Sequence, residues 1–195
     1  MTGTSDDGPT RPDDTLRKPR ERKGGGQVEI REMELEDLPE VYALGERLFP
    51  AEKWPNLYRR WDEYDLVRYF SEDGELCLVA ETPDGIVGFA LGTFIYKRRS
   101  AWAYGYLEWL GVDPDAQRAG IGGRLIDRLT DLFIEHGARM MLVDTEVENE
   151  DAIAFFERKG FGNVVEHLYM SRNLTTHPQY IRRRGRGAGR KGGGR

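Results

Sequence analysis

The chain has 195 residues, enough for one domain with a sizeable core. Its single cysteine, Cys77, excludes an internal disulfide, and three scattered histidines (His136, His167, His177) do not add up to a structural zinc site. The net charge of −5 is unevenly spread: residues 28–175 hold 16 basic and 29 acidic side chains, whereas 176–195 hold seven basic and none acidic.

Residues 1–27 are rich in Asp, Pro, Arg, Lys and Gly, so the expectation is a disordered tail. Val28–Met33 reads as a first strand. Asp37–Leu48 reads as a helix, with Leu38, Val41, Leu44 and Leu48 at helical spacing. A loop containing Pro50 and Pro55 follows, then a second helical stretch, Trp61–Phe70. Leu76–Thr82 and Ile86–Ile95 flank the turn Pro83-Asp84-Gly85, a hairpin signal. Cys77 lies in the first of these strands and reads as a small buried apolar residue rather than a nucleophile. Tyr104–Val112 is the next strand. The helix from about Gly120 to His136 buries Ile121, Leu125, Leu129, Leu132 and Phe133 and turns Arg124, Asp127, Arg128 and Asp131 to water. Met140–Thr145 reads as a strand buried on both faces. Ala152–Lys159 reads as a short helix stopped by Gly160, and Val165–Arg172 as the strand that closes the sheet. The basic segment 176–195, ending in an Arg/Gly run, is expected to be disordered. It is either a solubilising tail or a weak nucleic-acid-binding arm. The elements alternate as a mixed α/β (α+β) sheet, a single domain over 28–175 between two tails.

No apolar run approaches the roughly 18 residues that cross a bilayer, and the N-terminus lacks an apolar signal core. The expected setting is cytoplasmic, with no membrane partner. The acidic body favours a cationic partner such as an amine, and the basic tail an anionic one. A homodimer is left open.

The chemistry concentrates between Tyr106 and Gly123. An apolar strand stops at Asp113-Pro114, and the loop Gln117-Arg118-Ala119-Gly120-Ile121-Gly122-Gly123 opens a helix. Successive backbone N–H groups at such a place point one way, and the helix dipole adds about half a positive charge, which suits a phosphate. The loop lacks the Lys-Ser/Thr ending of a nucleotide P-loop, so Mg-nucleotide chemistry is not expected. Within the strand, Glu108 interrupts the run Y-L-E-W-L. A buried carboxylate without partners would cost several kcal/mol, so Glu108 is expected at a cleft or in water.

Gln117-x-x-Gly120-x-Gly122 matches the Q/R-x-x-G-x-G/A signature of the Gcn5-related N-acetyltransferase (GNAT) superfamily. The opening I-R-E-M-E-L-E-D-L and the strand leading to Asp113-Pro114 resemble that family's first and central strands. Downstream, Asn149-x-x-Ala152-x-x-Phe155-Phe156-Glu157-x-x-Gly160-Phe161 is similar to its later motif. The resemblance spans about residues 28–174 and implies a GNAT-type acyl-CoA N-acyltransferase fold. It also implies acetyl-CoA as acyl donor and direct attack by an amine, with no metal and no acyl-enzyme.

On that resemblance, the amides of Arg118, Ala119, Gly120, Ile121, Gly122 and Gly123 would cradle the pyrophosphate, after Gln117. Gly120 and Gly122 would let the backbone come close. Arg118 would add a charge or face solvent. The backbone of Leu110, Gly111 and Val112 would pair with the pantetheine arm, and amides near Leu110 would polarise the thioester carbonyl. Gly111 would mark a bulge splaying this strand from Met140–Thr145, or else a close packing against the following helix. Glu108 would act as the base, or as a counter-ion to the substrate ammonium, or as a solvent-facing strand residue. Asn149 would bond the pantetheine arm, cap the helix that follows, or both.

Phe156 stands where the family usually has a tyrosine that protonates the CoA thiolate. It retains a packing role against the cofactor, and Tyr169 or Tyr106, water, or no acid at all would serve instead. The aromatic stretch Trp54–Tyr69 lies where the family builds its acceptor wall, although Trp61 and Tyr69 also read as core. The sequence therefore points to an acetyl-CoA-dependent N-acetyltransferase. Two alternatives stand beside it, a non-catalytic acetyl-CoA sensor and a nucleic-acid- or ribosome-associated protein targeted by its tail.

Overall fold

A tight hairpin sets the register of the sheet in the computed structural model, which describes residues 28–50, 60–96, 102–168 and 170–188, with the backbone alone at 117–119 and 185–188. The chain divides into two units, one through Thr145 and one from Glu146 on. The first unit runs β1 (Glu29–Glu32), α1 (Leu38–Leu48), α2 (Glu63–Glu72), β2 (Cys77–Thr82), β3 (Gly85–Tyr96), β4 (Ala103–Val112), α3 (Ile121–Glu135) and β5 (Ala138–Val143). In the hairpin, Thr82 pairs with Gly85 across Pro83-Asp84. Gly85 takes φ +133° there, a conformation that favours glycine. The sheet order is β1-β2-β3-β4-β5. The first three pairings are antiparallel, and β4–β5, joined through α3, is parallel.

Each sheet face is covered by helix. On one face Val41 and Leu44 of α1 and Leu66 and Tyr69 of α2 pack against Cys77, Val79, Phe89 and Leu91. On the other, α3 contributes the buried Ile121, Leu125, Leu129 and Phe133. That helix lies close to the strands. A Cβ on Gly105 would come within 2.4 Å of Phe133, and one on Gly92 within 2.8 Å. The sequence reading of this helix holds, with Ile126 buried as well.

Trp61, just before α2, packs onto α1. Its indole lies against Gly45, and its Nε1 donates to the Tyr42 carbonyl at 2.9 Å. Asp62 then accepts from the amides of Tyr64 and Asp65, so α2 begins two residues later than the apolar pattern suggests. Arg31 of β1 ties the sheet to the start of α1. It meets Asp37 at 2.5 Å and Glu81 at 2.8 Å.

Three expectations change. The last parallel strand is Ala138–Val143, and it is not buried on both faces: Arg139 and Met140 are exposed. It is the outer strand of the sheet among the described residues, which leaves its side chains less cover. The closing strand over Val165–Arg172 is absent among the described residues. Val164, Val165, Leu168 and Met170 are exposed, and strand geometry needs a ladder partner for its backbone groups. The third change is at the C-terminus. The second unit holds α4 (Glu150–Arg158) and α5 (Pro178–Ala188), and α5 occupies most of the segment read as a disordered tail. Pro178 suits a first helical position, the His177 ring accepts from the Gln179 amide at 3.2 Å, and arginine is a good helix former. Among the described residues no helix is long and apolar enough to cross a membrane.

Candidate active site

The centre of the site is a defect in β4. Leu107 pairs with Gly92 of β3, but the next pair is Trp109 with Leu91. Two steps on β4 therefore match one on β3, and Glu108 is the extra residue of a β-bulge. The bulge reverses the side-chain alternation. Before it, Gly105 and Leu107 face α3, as their contacts and partners show. After it, Trp109 faces the opposite helices, 4.8 Å from Phe49 and 5.3 Å from Trp61 between ring centroids. An uninterrupted strand would put Leu107 and Trp109 on one face.

This corrects the bulge reading of Gly111. Gly111 pairs regularly with Phe89. A Cβ there would meet Phe89 and Leu48 at 2.8 Å, so the glycine serves a close approach, to α1 rather than to the following helix. The splay itself is present. Pairing of β4 with β5 runs from Ala103–Ala138 to Leu107–Val143 and stops. The β4–β5 ladder does not extend past Leu107. Leu110, Gly111 and Val112 thus form an open strand edge that begins at the bulge.

Glu108 is half-buried. Its charge acts on Tyr69 of α2. The Tyr69 hydroxyl is held above its usual range by burial first and the Glu108 carboxylate second, while Arg68, 4.4 Å over the ring, pulls the other way. Nearby on the sheet, Thr93 donates to Asp73 at the end of α2, and its cross-strand partner Tyr106 donates to Asp144, just past β5. The sequence reading did not single out Asp144 or Thr93. The signal for Asp144 was a carboxylate closing the apolar run Met140–Val143.

The glycine loop follows directly. Asp113 is anchored by its amide to the Val87 carbonyl at 2.8 Å, and its side chain accepts from the Asp115 amide. A 3-10 turn carries Pro114–Ala119, including Gln117, Arg118 and Ala119. Gly120 then takes φ +66°, and α3 begins at Ile121 without a side-chain cap. Among the described residues, chain neighbours aside, nothing lies within 4 Å of where a Gly120 Cβ would stand. Glycine is needed here for its left-handed conformation, and the space beside it is open. The first amides of α3, at Ile121, Gly122 and Gly123, have no partners within the helix. Such a terminus fits a diphosphate.

In the second unit, Asn149 caps α4 through a 3.3 Å bond from the Ala152 amide, the second of its two readings. Phe156 is buried between Phe155 and Phe161, at 5.2 and 5.4 Å. Tyr169, Trp54 and Tyr58 lie outside the described residues.

An edge opened by a bulge, a carboxylate at the bulge and a glycine turn into a helix define a class of acyl-group transferases, and the comparisons agree. Residues 36–161 match the model of the acetyltransferase (GNAT) family. The chain belongs to that family and is an N-acetyltransferase. Among solved structures, a transcriptional regulator from Bacillus halodurans C-125 shares 25% identity. The match covers 75% of this chain and 100% of that one, with a TM-score of 0.61. An acetyltransferase from Trypanosoma brucei shares 24% over 75% and 100% of the two chains, with a TM-score of 0.59. AAC(6')-Iy bound to the bisubstrate analogue CoA-S-monomethyl-acetylneamine shares 19% over 76% and 99%, with a TM-score of 0.61. The last two likenesses are of fold alone.

Proposed function

We propose that this enzyme transfers the acetyl group of acetyl-CoA to a primary amine on a cationic acceptor. The observation that carries this reading is the bulge at Glu108, which sets a carboxylate where the β4 edge opens. Acetyl-CoA, when bound, supplies a thioester. The amides of residues 118–123 hold its diphosphate, with Gln117 leading into the turn. The open edge at Leu110, Gly111 and Val112 bonds its pantetheine arm as an added strand would. The resemblance to the family also assigns Asn149 a hydrogen bond to the pantetheine arm and Phe156 a packing role against the cofactor. A backbone amide near Leu110 polarises the thioester carbonyl.

Glu108 takes the proton of the acceptor ammonium, directly or through a water, and the neutral amine attacks. The C–N bond forms, the C–S bond breaks, and the thiolate leaves, while the attacking nitrogen gives up its second proton to water or to the departing thiolate. Phe156 has no proton to give. Tyr106 is poorly suited to give one, because loss of its proton would leave a phenolate facing the Asp144 carboxylate. The thiolate then takes a proton from Tyr169 or from water, or leaves unassisted.

The test is thiol release from acetyl-CoA across a panel of amines and N-terminal peptides, for wild type and Glu108→Gln. Turnover on one amine class, lost in the variant while acetyl-CoA still binds, supports the reading. Tight acetyl-CoA binding without turnover on any acceptor favours a sensor instead, the reading that Phe156 supports.

A further inference from the structure

Helix α5 gains little from the chain that carries it. Every described side chain from Pro178 to Arg184 is exposed, Tyr180 and Ile181 included. A helix this short is marginal in water unless one face packs against something. Its charges add to the cost, because Arg182 and Arg186 stand four residues apart, a like-charge spacing that destabilises a free helix. Arg182 donates from Nε to the Pro178 carbonyl of its own helix at 3.2 Å. Among the described residues no carboxylate pairs with Arg182, Arg183 or Arg184.

Charge and side-chain type say what would cover this helix. Residues 176–195 hold six Arg and one Lys and no acid, whereas 28–175 hold 16 basic against 29 acidic side chains, a net −13. A polyanion is repelled by the body and drawn to this segment. Arginine in place of lysine favours phosphate, because the planar fork takes two oxygens at once. Tyr180 stands three and four residues before Arg183 and Arg184, so its ring shares a helix face with both guanidinium groups. An exposed ring among phosphate binders suits an unstacked base, and RNA offers such bases in its loops and ends. A bilayer surface fits less well. It asks for a continuous apolar face, and Arg184 falls between Tyr180 and Ile181 around the helix and breaks that side.

We propose that α5 is a docking helix for single-stranded RNA, with Arg182, Arg183 and Arg184 on the phosphates and Tyr180 stacked on a base. The interaction lies outside the acetyl-transfer chemistry. It holds the enzyme beside RNA and leaves acetyl-CoA binding unchanged.

The test uses the full chain and a short fluorescein-labelled oligouridylate, with anisotropy followed across a range of KCl. The logarithm of the binding constant should fall against the logarithm of salt with a slope of about 3–5, at about 0.7 for each phosphate contact. Glutamine at all three of Arg182, Arg183 and Arg184 keeps a good helix former. It should weaken binding about tenfold or more and lower the slope by about 2. Lysine at the same three positions keeps the charge, so the slope should hold while affinity still falls severalfold. Tyr180→Ala should weaken binding about tenfold with the slope unchanged, and Tyr180→Phe should bind as wild type. Melting temperature and calorimetric acetyl-CoA binding should stay the same throughout, since these side chains are exposed.

Four results overturn the proposal. The wild type does not bind oligouridylate at near-physiological salt. The triple glutamine variant binds it as tightly as wild type. Tyr180→Ala binds unchanged, which leaves adhesion by charge alone. An RNA duplex, or vesicles rich in phosphatidylserine, is bound more tightly than the single strand.

Discussion

The Glu108 carboxylate on β4 acts on the Tyr69 hydroxyl on α2 and, after burial, is the main reason that this phenol holds its proton more tightly than usual. The pair joins the bulge to the helix beside it. Glu108→Gln removes the charge and leaves the burial, so the Tyr69 titration should move down towards, but not reach, the ordinary phenol range. Carbon-13 shifts of labelled tyrosine followed between pH 8 and 12 would show it. A Tyr69 titration that does not move would mean that the carboxylate points elsewhere. The same variant should lose about 10²–10⁴ of kcat if Glu108 is the base, with acetyl-CoA binding retained. Tyr69 also carries a stability term. Its folded pKa is raised, so the contribution is complete below the unfolded value near 10 and is lost as pH climbs through the folded one. Tyr69→Phe should flatten that alkaline limb.

Gly120 separates a structural demand from a binding one. Its φ of +66° strains any residue with a Cβ, by about 1–2 kcal/mol. Yet among the described residues, chain neighbours aside, no atom lies within 4 Å of the place where that Cβ would stand. Gly120→Ala should therefore fold, with a modest fall in melting temperature. If the diphosphate rests against this turn, the new methyl group fills the space it needs, and acetyl-CoA affinity should drop about tenfold or more. Isothermal titration on the folded variant checks this. Unchanged affinity would place the diphosphate away from Gly120.

Much of this arrangement is legible in the sequence because local chemistry dictates it. Pro83-Asp84-Gly85 announces the hairpin, the spacing of Ile121, Leu125, Leu129 and Phe133 announces α3, and Gly120 announces the turn into it. The interruption of an apolar strand by Glu108 marks a special position, but the bulge cannot be read there. A bulge is a property of two strands in register, and Leu91 and Gly92 lie about 16 residues back. Gly111 misleads for the same reason: its partners Leu48 and Phe89 are distant in sequence, and close approach and bulge both call for glycine. The segment Val165–Arg172 has strand-like residues, but a strand also needs a partner, which composition does not reveal. Asp144 is overlooked because the sequence reading counts it into the strand Met140–Thr145, and its partner Tyr106 lies on another strand far back in the chain.

Arg31 and Asp37 form a largely enclosed ion pair. Asp37 is 7% exposed at its side chain, takes two guanidinium bonds, and accepts from the Glu34 amide at 2.8 Å. One carboxylate therefore ties β1 to the turn before α1. Asp37→Ala leaves a largely enclosed guanidinium with only Glu81 as counter-charge, beside the Glu32 carbonyl that it also meets, and leaves the Glu34 amide without this acceptor. The expected cost is about 3 kcal/mol, seen as a lower urea midpoint with an unchanged slope. Asp37→Asn keeps the amide bond and should cost less. A loss below about 1 kcal/mol for the alanine variant would show that water screens the pair.

Cys77 is fully buried in β2, and burial, with lesser contributions from Asp73 and Glu75, pushes its thiol up to about 12. At pH 8 the thiol is protonated and sealed, so Ellman's reagent should react only after unfolding, and the reaction rate becomes a reporter of opening. The sign of the linked stability follows from the raised value. The contribution is whole below the unfolded pKa near 8.5 and declines as pH rises towards 12, since the unfolded chain sheds this proton first. Cys77→Ala should cost about 1 kcal/mol at neutral pH through the lost sulfur volume. The gap to wild type should then narrow between pH 9 and 11. Urea midpoints of both proteins at pH 7.5 and 10.5 measure it. A gap that stays constant would mean that the thiol is reached by water in the native state.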